Sequence, residues 1–149
     1  MIDIDKMTLD TERLQIRPLR MDDLSTFRDY VPRHTAKEAE KMLENTIRDR
    51  NTVGLFLQDQ LAGAVLFYNQ QDDSVHLGFS VRKDLRNHGL MTEGLKAVVT
   101  ELFAVQGIRR IFTEIRDDNH ASISVVRKTG FRNTGEKENS ISFMLEKED

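Results

Sequence analysis

The stretch "VHLGFSVRKDLRNHGLMTEGLKAVVTELF", residues 75–103, changes its apolar period half-way. Val75, Leu77, Phe79 and Val81 alternate with His76, Gly78 and Ser80, the two-residue repeat of a strand with one apolar face. Leu95, Val98, Val99, Leu102 and Phe103 then stand at i, i+3, i+4, i+7 and i+8, the stripe of a core-facing helix. The joint between them carries Arg86, His88 and Gly89 at the helix entrance. A helix start is already positive, and cations there weaken it. An anion from outside the chain resolves the conflict. Unsatisfied first-turn N–H groups converge at such a joint and bind phosphate, and glycine lets the phosphate come close. The other reading is a helix that merely starts at a loop glycine behind an exposed basic turn. No G-x-x-x-x-G-K-[ST] and no G-x-G-x-x-G occurs, so neither a P-loop nor a dinucleotide fold is indicated.

Outward from this unit, "RLQIRPLR" (13–20) reads as a first strand with proline near its end. "MDDLSTFRDYV" puts Leu24, Phe27 and Val31 at helical spacing. "HTAKEAEKMLENTIRDR" opens on the capping box Thr35/Glu38, with the stripe Ala39, Met42, Leu43 and Ile47. "VGLFLQ" and "LAGAVLFY" form a hairpin across Asp59–Gln60, and "NQQDDS" is a polar loop. Beyond the central helix, Gly107 is a stop and Ile108, Ile111, Phe112 and Ile115 supply a strand. Asn119 or Asp118 caps a short helix that Gly130 ends, and "FRNTG" and "ISFML" close the chain as strands around "EKENS". The order is β-α-α-β-β-β-α-β-α-β-β, an α/β arrangement in a single domain over 1–149.

With 149 residues, 32% charged and 38% hydrophobic, the chain has the size and balance of one globular domain. A net charge of −3 lacks a broad basic footprint, so nucleic acid is not the expected partner. Without cysteine there is no disulfide, thiol nucleophile or Cys-based metal site. His34, His88 and His120 lack metal-ligand spacing, so no metal is expected. The acidic opening "MIDIDKMTLD" is no signal peptide, and no apolar run reaches bilayer length. No membrane association and a cytoplasmic location are the expectations.

Arg86-Asn87-His88-Gly89-Leu90-Met91 resembles the R/Q-x-x-G-x-G/A signature of the GNAT superfamily of acyl-CoA-dependent N-acetyltransferases. "TERLQIRPLRMDDL", "HTAKEAEKML" and "NHASISVVRKTGFRNTG" resemble segments of its ribosomal-protein N-terminal acetyltransferase (RimJ/RimL-like) branch, in the right order from Thr11 to Leu145. The resemblance implies a mixed, mostly antiparallel sheet splayed between the fourth and fifth strands, with helices on both faces. It implies acetyl-CoA as acetyl donor, with no metal, and a primary amine as acceptor: a protein or peptide N-terminus, or a small amine. It also implies that the N–H groups of Arg86, Asn87, His88, Gly89, Leu90, Met91 and Thr92 hold the pyrophosphate of coenzyme A. The main chain of Phe79, Ser80 and Val81 would pair with the pantetheine arm. Asn119 would bond that arm, and Ser122 would sit near the thioester sulfur.

Two departures stand out. Met91 occupies a position where Gly or Ala is usual, which would crowd the loop. The connection "YVPRH" between the first two helices is short, so the acceptor pocket is open or is completed by a second subunit in a homodimer.

The reaction needs a neutral amine, an oxyanion donor and a proton for the departing thiolate. His76, on the polar side of the fourth strand, is a candidate base; the alternative is a surface or satisfied histidine. Ser122 is a candidate acid, or simply the third residue of a capped helix. The tyrosine that serves as acid in many family members has no counterpart, because Val126 stands there. Phe67 and Tyr68 either line the acceptor site or belong to the core and a strand end. A non-catalytic acyl-CoA-binding or sensor domain is the rival expectation, and a ligand-free interaction module a third.

Overall fold

The computed structural model describes residues 2–149. Its sheet runs β1 (Leu9–Asp10), β2 (Leu14–Pro18), β3 (Thr52–Leu57), β4 (Gln60–Gln71), β5 (Ser74–Val81), β6 (Arg110–Arg116), β8 (Ser140–Glu146), β7 (Arg132–Lys137). Among the described residues only β5 and β6 pair in parallel; all other neighbours are antiparallel. The helices are α1 (Leu24–Tyr30), α2 (Ala36–Asp49), α3 (Leu90–Ala104) and α4 (His120–Thr129).

One face of the sheet carries α3 and α4. Leu95, Val98 and Leu102 of α3 are fully buried, and Ile123 and Val126 of α4 join the same cluster. Each such side chain contributes about 1.5–3 kcal/mol of transfer free energy. A Cβ on Gly94 would collide with the Leu55 side chain, so this glycine lets α3 approach β3 closely. The other face is partly covered by α1 and α2. Phe27, Ala39 and Leu43 pack there on Leu19, Phe56 and Leu61. Thr35 and Glu38 make the expected reciprocal capping box of α2.

Several sequence expectations are corrected. The polar loop after β4 is shorter than expected, because the strand continues through Asn69–Gln71 and turns at Asp72–Asp73. Glu136, Lys137 and Ser140, expected in a loop, are strand residues on either side of a tight turn. The first three residues of "MDDLSTFRDYV", Met21–Asp23, form a 3-10 turn before α1 begins. The N-terminal segment adds the short strand β1 and a 3-10 turn, Ile4–Lys6, which sinks Ile4 and Met7 into the core. Their single apolar residues carried no periodic signal. Among the described residues, no helix is long and apolar enough to cross a membrane.

Candidate active site

β5 and β6 are paired at Ser74↔Arg110, Val75↔Ile111 and His76↔Phe112, and then separate. At the parting point the Thr113 hydroxyl donates to the Leu77 carbonyl at 2.8 Å. Arg86 Nε donates to the Val81 carbonyl across a long 3.4 Å. Leu77 and Val81 therefore present their main chain toward the opening. The two-residue repeat puts the N–H and C=O of Phe79 on that side too. Val75 and Leu77 are fully buried, whereas Phe79 and Val81 are only half-buried. Past the fork, the apolar face of β5 borders a cleft as well as the core.

The loop after β5 supplies the cleft's second wall. Asn87 (φ 66) and Gly89 (φ 75) both take left-handed backbone, and Gly89 caps α3 without any side-chain bond. Among the described residues, no chain group accepts from the N–H groups of Arg86 to Thr92; the first helical donor is Glu93, to Gly89. A run of free donors at a helix start is an anion site. The negative charge of Glu93 in the first turn is already engaged elsewhere. It accepts from the Thr11 hydroxyl (2.5 Å), the Arg13 N–H (2.8 Å) and Arg13 Nε (2.7 Å). Burial works to raise the Glu93 carboxyl, but these donors together hold it below its ordinary range. Arg13 also donates to the His88 carbonyl at 2.8 Å, so the loop is braced from behind.

Met91 does not crowd this loop. Its side chain is 3% exposed and turns into the core beside Gly63, while its main chain stays at the helix start.

The third wall is the start of α4. Asn119 caps it by accepting from the Ser122 N–H at 3.1 Å. The Asn119 amide nitrogen and the Ser122 hydroxyl have no chain partner among the described residues. The cleft encloses about 650 Å³. It gathers Phe79, Ser80, Val81, Arg86, Asn87, Gly89, Leu90, Met91, Thr92, Asn119 and Ser122 from the sequence-derived set. Arg116 and Lys128 line it as well and were not legible as site residues, because cations on exposed strand and helix positions are ordinary.

His76 and His88 are not among the lining residues. The ring of His76 lies between Tyr68 (centroids 5.4 Å apart) and Phe112 (5.1 Å). Its Nδ1 is buried without a hydrogen-bond partner among the described residues. A histidine base normally donates from its second nitrogen to a carbonyl or carboxylate, which fixes the tautomer and supports the imidazolium. Among the described residues no carbonyl or carboxylate gives His76 such support. Tyr30, at the end of α1, instead reaches β5, where its hydroxyl is hydrogen-bonded to Ser80 Oγ. Burial pushes the Tyr30 hydroxyl above its ordinary pKa, against the pull of the Ser80 bond and the Arg86 charge, so it keeps its proton. Val126 is fully buried and offers nothing to the cleft.

The model of the acetyltransferase (GNAT) domain family matches residues 13–132, which include the whole cleft. The chain belongs to this family. Its GNAT fold is also that of solved structures of low sequence identity. An acetyltransferase of the GNAT family from Bacillus anthracis shares 18% identity, covers 94% of this chain and 98% of its own, and superposes with a TM-score of 0.82. The ribosomal-protein-S5-alanine acetyltransferase of Vibrio fischeri shares 17% over 97% of this chain and 98% of its own, at TM-score 0.82. RimJ of Mycobacterium smegmatis, in complex with CoA-disulfide, shares 17% over 89% and 81%, at TM-score 0.75. No curated protein matches the chain by sequence.

Proposed function

We propose that this GNAT chain moves an acetyl group from acetyl-CoA to a primary amine. The acceptor is a protein or peptide N-terminus or a small amine. One observation carries the reading. The unpartnered N–H groups of Arg86–Thr92, His88 apart, and the open edge of β5 line the same cleft, a phosphate cradle beside a strand-like docking edge. The donors suit a pyrophosphate, with Arg86 as a mobile counter-charge. The Phe79 main chain suits the amide-bearing pantetheine arm, which the Asn119 amide nitrogen can also reach.

The amine nitrogen forms a bond to the thioester carbonyl carbon, the carbon–sulfur bond breaks, the amine loses a proton and the thiolate gains one. The unpartnered Ser122 hydroxyl is our candidate to meet that thiolate. Without a supported histidine, catalysis rests on holding the two reactants together, and the amine gives its proton to solvent. The V. fischeri neighbour, named for an alanine acceptor on a ribosomal protein, favours a peptide N-terminus.

The test combines coenzyme A thermal stabilisation with thiol release from acetyl-CoA against a panel of amines. Stabilisation with amine-dependent thiol release is the expected result. The buried Val126, in place of a phenol, favours a second reading in which the cleft binds an acyl-CoA without turning it over. Stabilisation without thiol release would select that reading.

A further inference from the structure

Cross-strand partners share a face of the sheet. On β4 and β5 the rungs are Ala64↔Ser80, Leu66↔Gly78 and Tyr68↔His76, on the face opposite α3. α1 and α2 cover only the part of that face around Phe56 and Leu61. Leu66 is left 41% exposed and Tyr68 39%, in the middle of the sheet. A Cβ built on Gly78 would meet nothing within 4 Å. The result is a strip of open space over Gly78. Tyr30, seated on Ser80, closes one end, and the row Tyr68, His76 and Phe112 forms the other. Ser80 also lines the cleft, so the strip is continuous with the fork.

We propose that this strip receives the acceptor, that Gly78 sets the room for it, and that the accepted amine is borne next to an apolar group. The inference rests on the acetyl-transfer reading. Its own content is the chemistry of the strip. Leu66, Tyr68, Phe112 and the His76 ring offer apolar and aromatic surface, and the carboxylate that shares this face of β6, Glu114, is already held by the Ser140 hydroxyl and by Lys137. An apolar group beside the amine gains by covering that surface.

Gly78 lies in strand backbone with free space at its Cβ position, so a β-branched residue fits the fold there. The experiment compares wild type, Gly78→Val, Gly78→Ala and Leu66→Ser. Coenzyme A thermal shift reports the cleft. Acetylation of a peptide beginning alanine-leucine and of one beginning aspartate-glutamate reports the strip. Wild type should prefer the apolar peptide. Gly78→Val should keep the coenzyme A shift and lose about tenfold or more in kcat/KM for that peptide. Gly78→Ala should fall between, and Leu66→Ser should raise KM more than it lowers kcat. Unchanged kcat/KM in Gly78→Val, or equal use of the two peptides, would overturn the proposal. A wild-type dimer that Leu66→Ser dissociates without changing kcat/KM would give the strip to a second copy and overturn it too. Wild type that binds coenzyme A yet acetylates neither peptide nor any small amine would defeat the transfer reading itself, and this inference with it.

Discussion

Thr113 donates its hydroxyl to the Leu77 carbonyl at 2.8 Å, from a residue only 2% exposed, where β5 and β6 part. The bond takes the place of the next ladder bond, so the fork opens without leaving that carbonyl bare. Thr113→Val keeps the shape and removes the donor. Leaving a buried acceptor unpaired costs about 1–3 kcal/mol, and urea denaturation should show a loss of that size. Unchanged stability would mean that this bond does not hold the fork.

Gly89→Asp tests the donor cradle. Aspartate tolerates left-handed backbone better than most residues, and the nearest neighbour of its Cβ would be Arg13 Nη2 at 3.5 Å. The variant should fold. Its carboxylate would stand among the free N–H groups and repel a pyrophosphate, so the coenzyme A thermal shift, present in wild type by mass action, should vanish. A shift as large as wild type would move the phosphate site elsewhere.

The sequence revealed the two walls of the cleft whose signals are local. The change from two-residue to helical period located the β5–α3 joint, and the place before a helix narrowed the cap to Asn119 or Asp118, of which Asn119 is the cap. It missed the parts made by distant chain. Thr11 and Arg13 meet Glu93 some 80 residues away, and no periodicity announces such a brace. Thr113 is one polar residue in an apolar strand, and only the partner strand gives its hydroxyl a purpose. His76 was legible only in part, for a related reason. Alternation placed it on the correct face but could not show that Tyr68 and Phe112 flank its ring and that Nδ1 lacks a partner.

His76→Gln should therefore leave kcat/KM within a few-fold of wild type, and the pH profile of both proteins should follow the ionisation of the amine. The rate rises with pH until the amine is neutral. A loss of about 10²-fold, the usual scale for a general base, with a changed profile would restore His76 to that role.

Arg17 and Asp23 pin α1 to β2. The guanidinium donates to both carboxylate oxygens at 2.8 and 2.9 Å, and the Arg20 N–H adds a third bond at 2.8 Å. The guanidinium also lies 3.8 Å from the centre of the Phe56 ring. Burial works to raise the Asp23 carboxyl, but these donors overcome it and hold the group below its ordinary value. Its contribution is thus complete above the unfolded carboxyl value, near pH 4, and is lost as pH falls through the lower folded value. Asp23→Ala should cost about 3–5 kcal/mol at neutral pH, because it strands a largely buried guanidinium. The difference from wild type should shrink on acidification below about pH 4. A difference constant with pH would place the effect in packing and not in the ion pair.

The central claim is that the Arg86–Thr92 donors and the open edge of β5 hold acetyl-CoA for transfer to an amine. The most direct measurement incubates wild type and Gly89→Asp with acetyl-CoA and a short peptide, then follows free thiol and the acetylated peptide by mass spectrometry. The account predicts one thiol released per acetyl group gained by the peptide amine in wild type, and neither above background in Gly89→Asp. Equal product from the two proteins, or no acetylated amine from wild type with any acceptor, would contradict it.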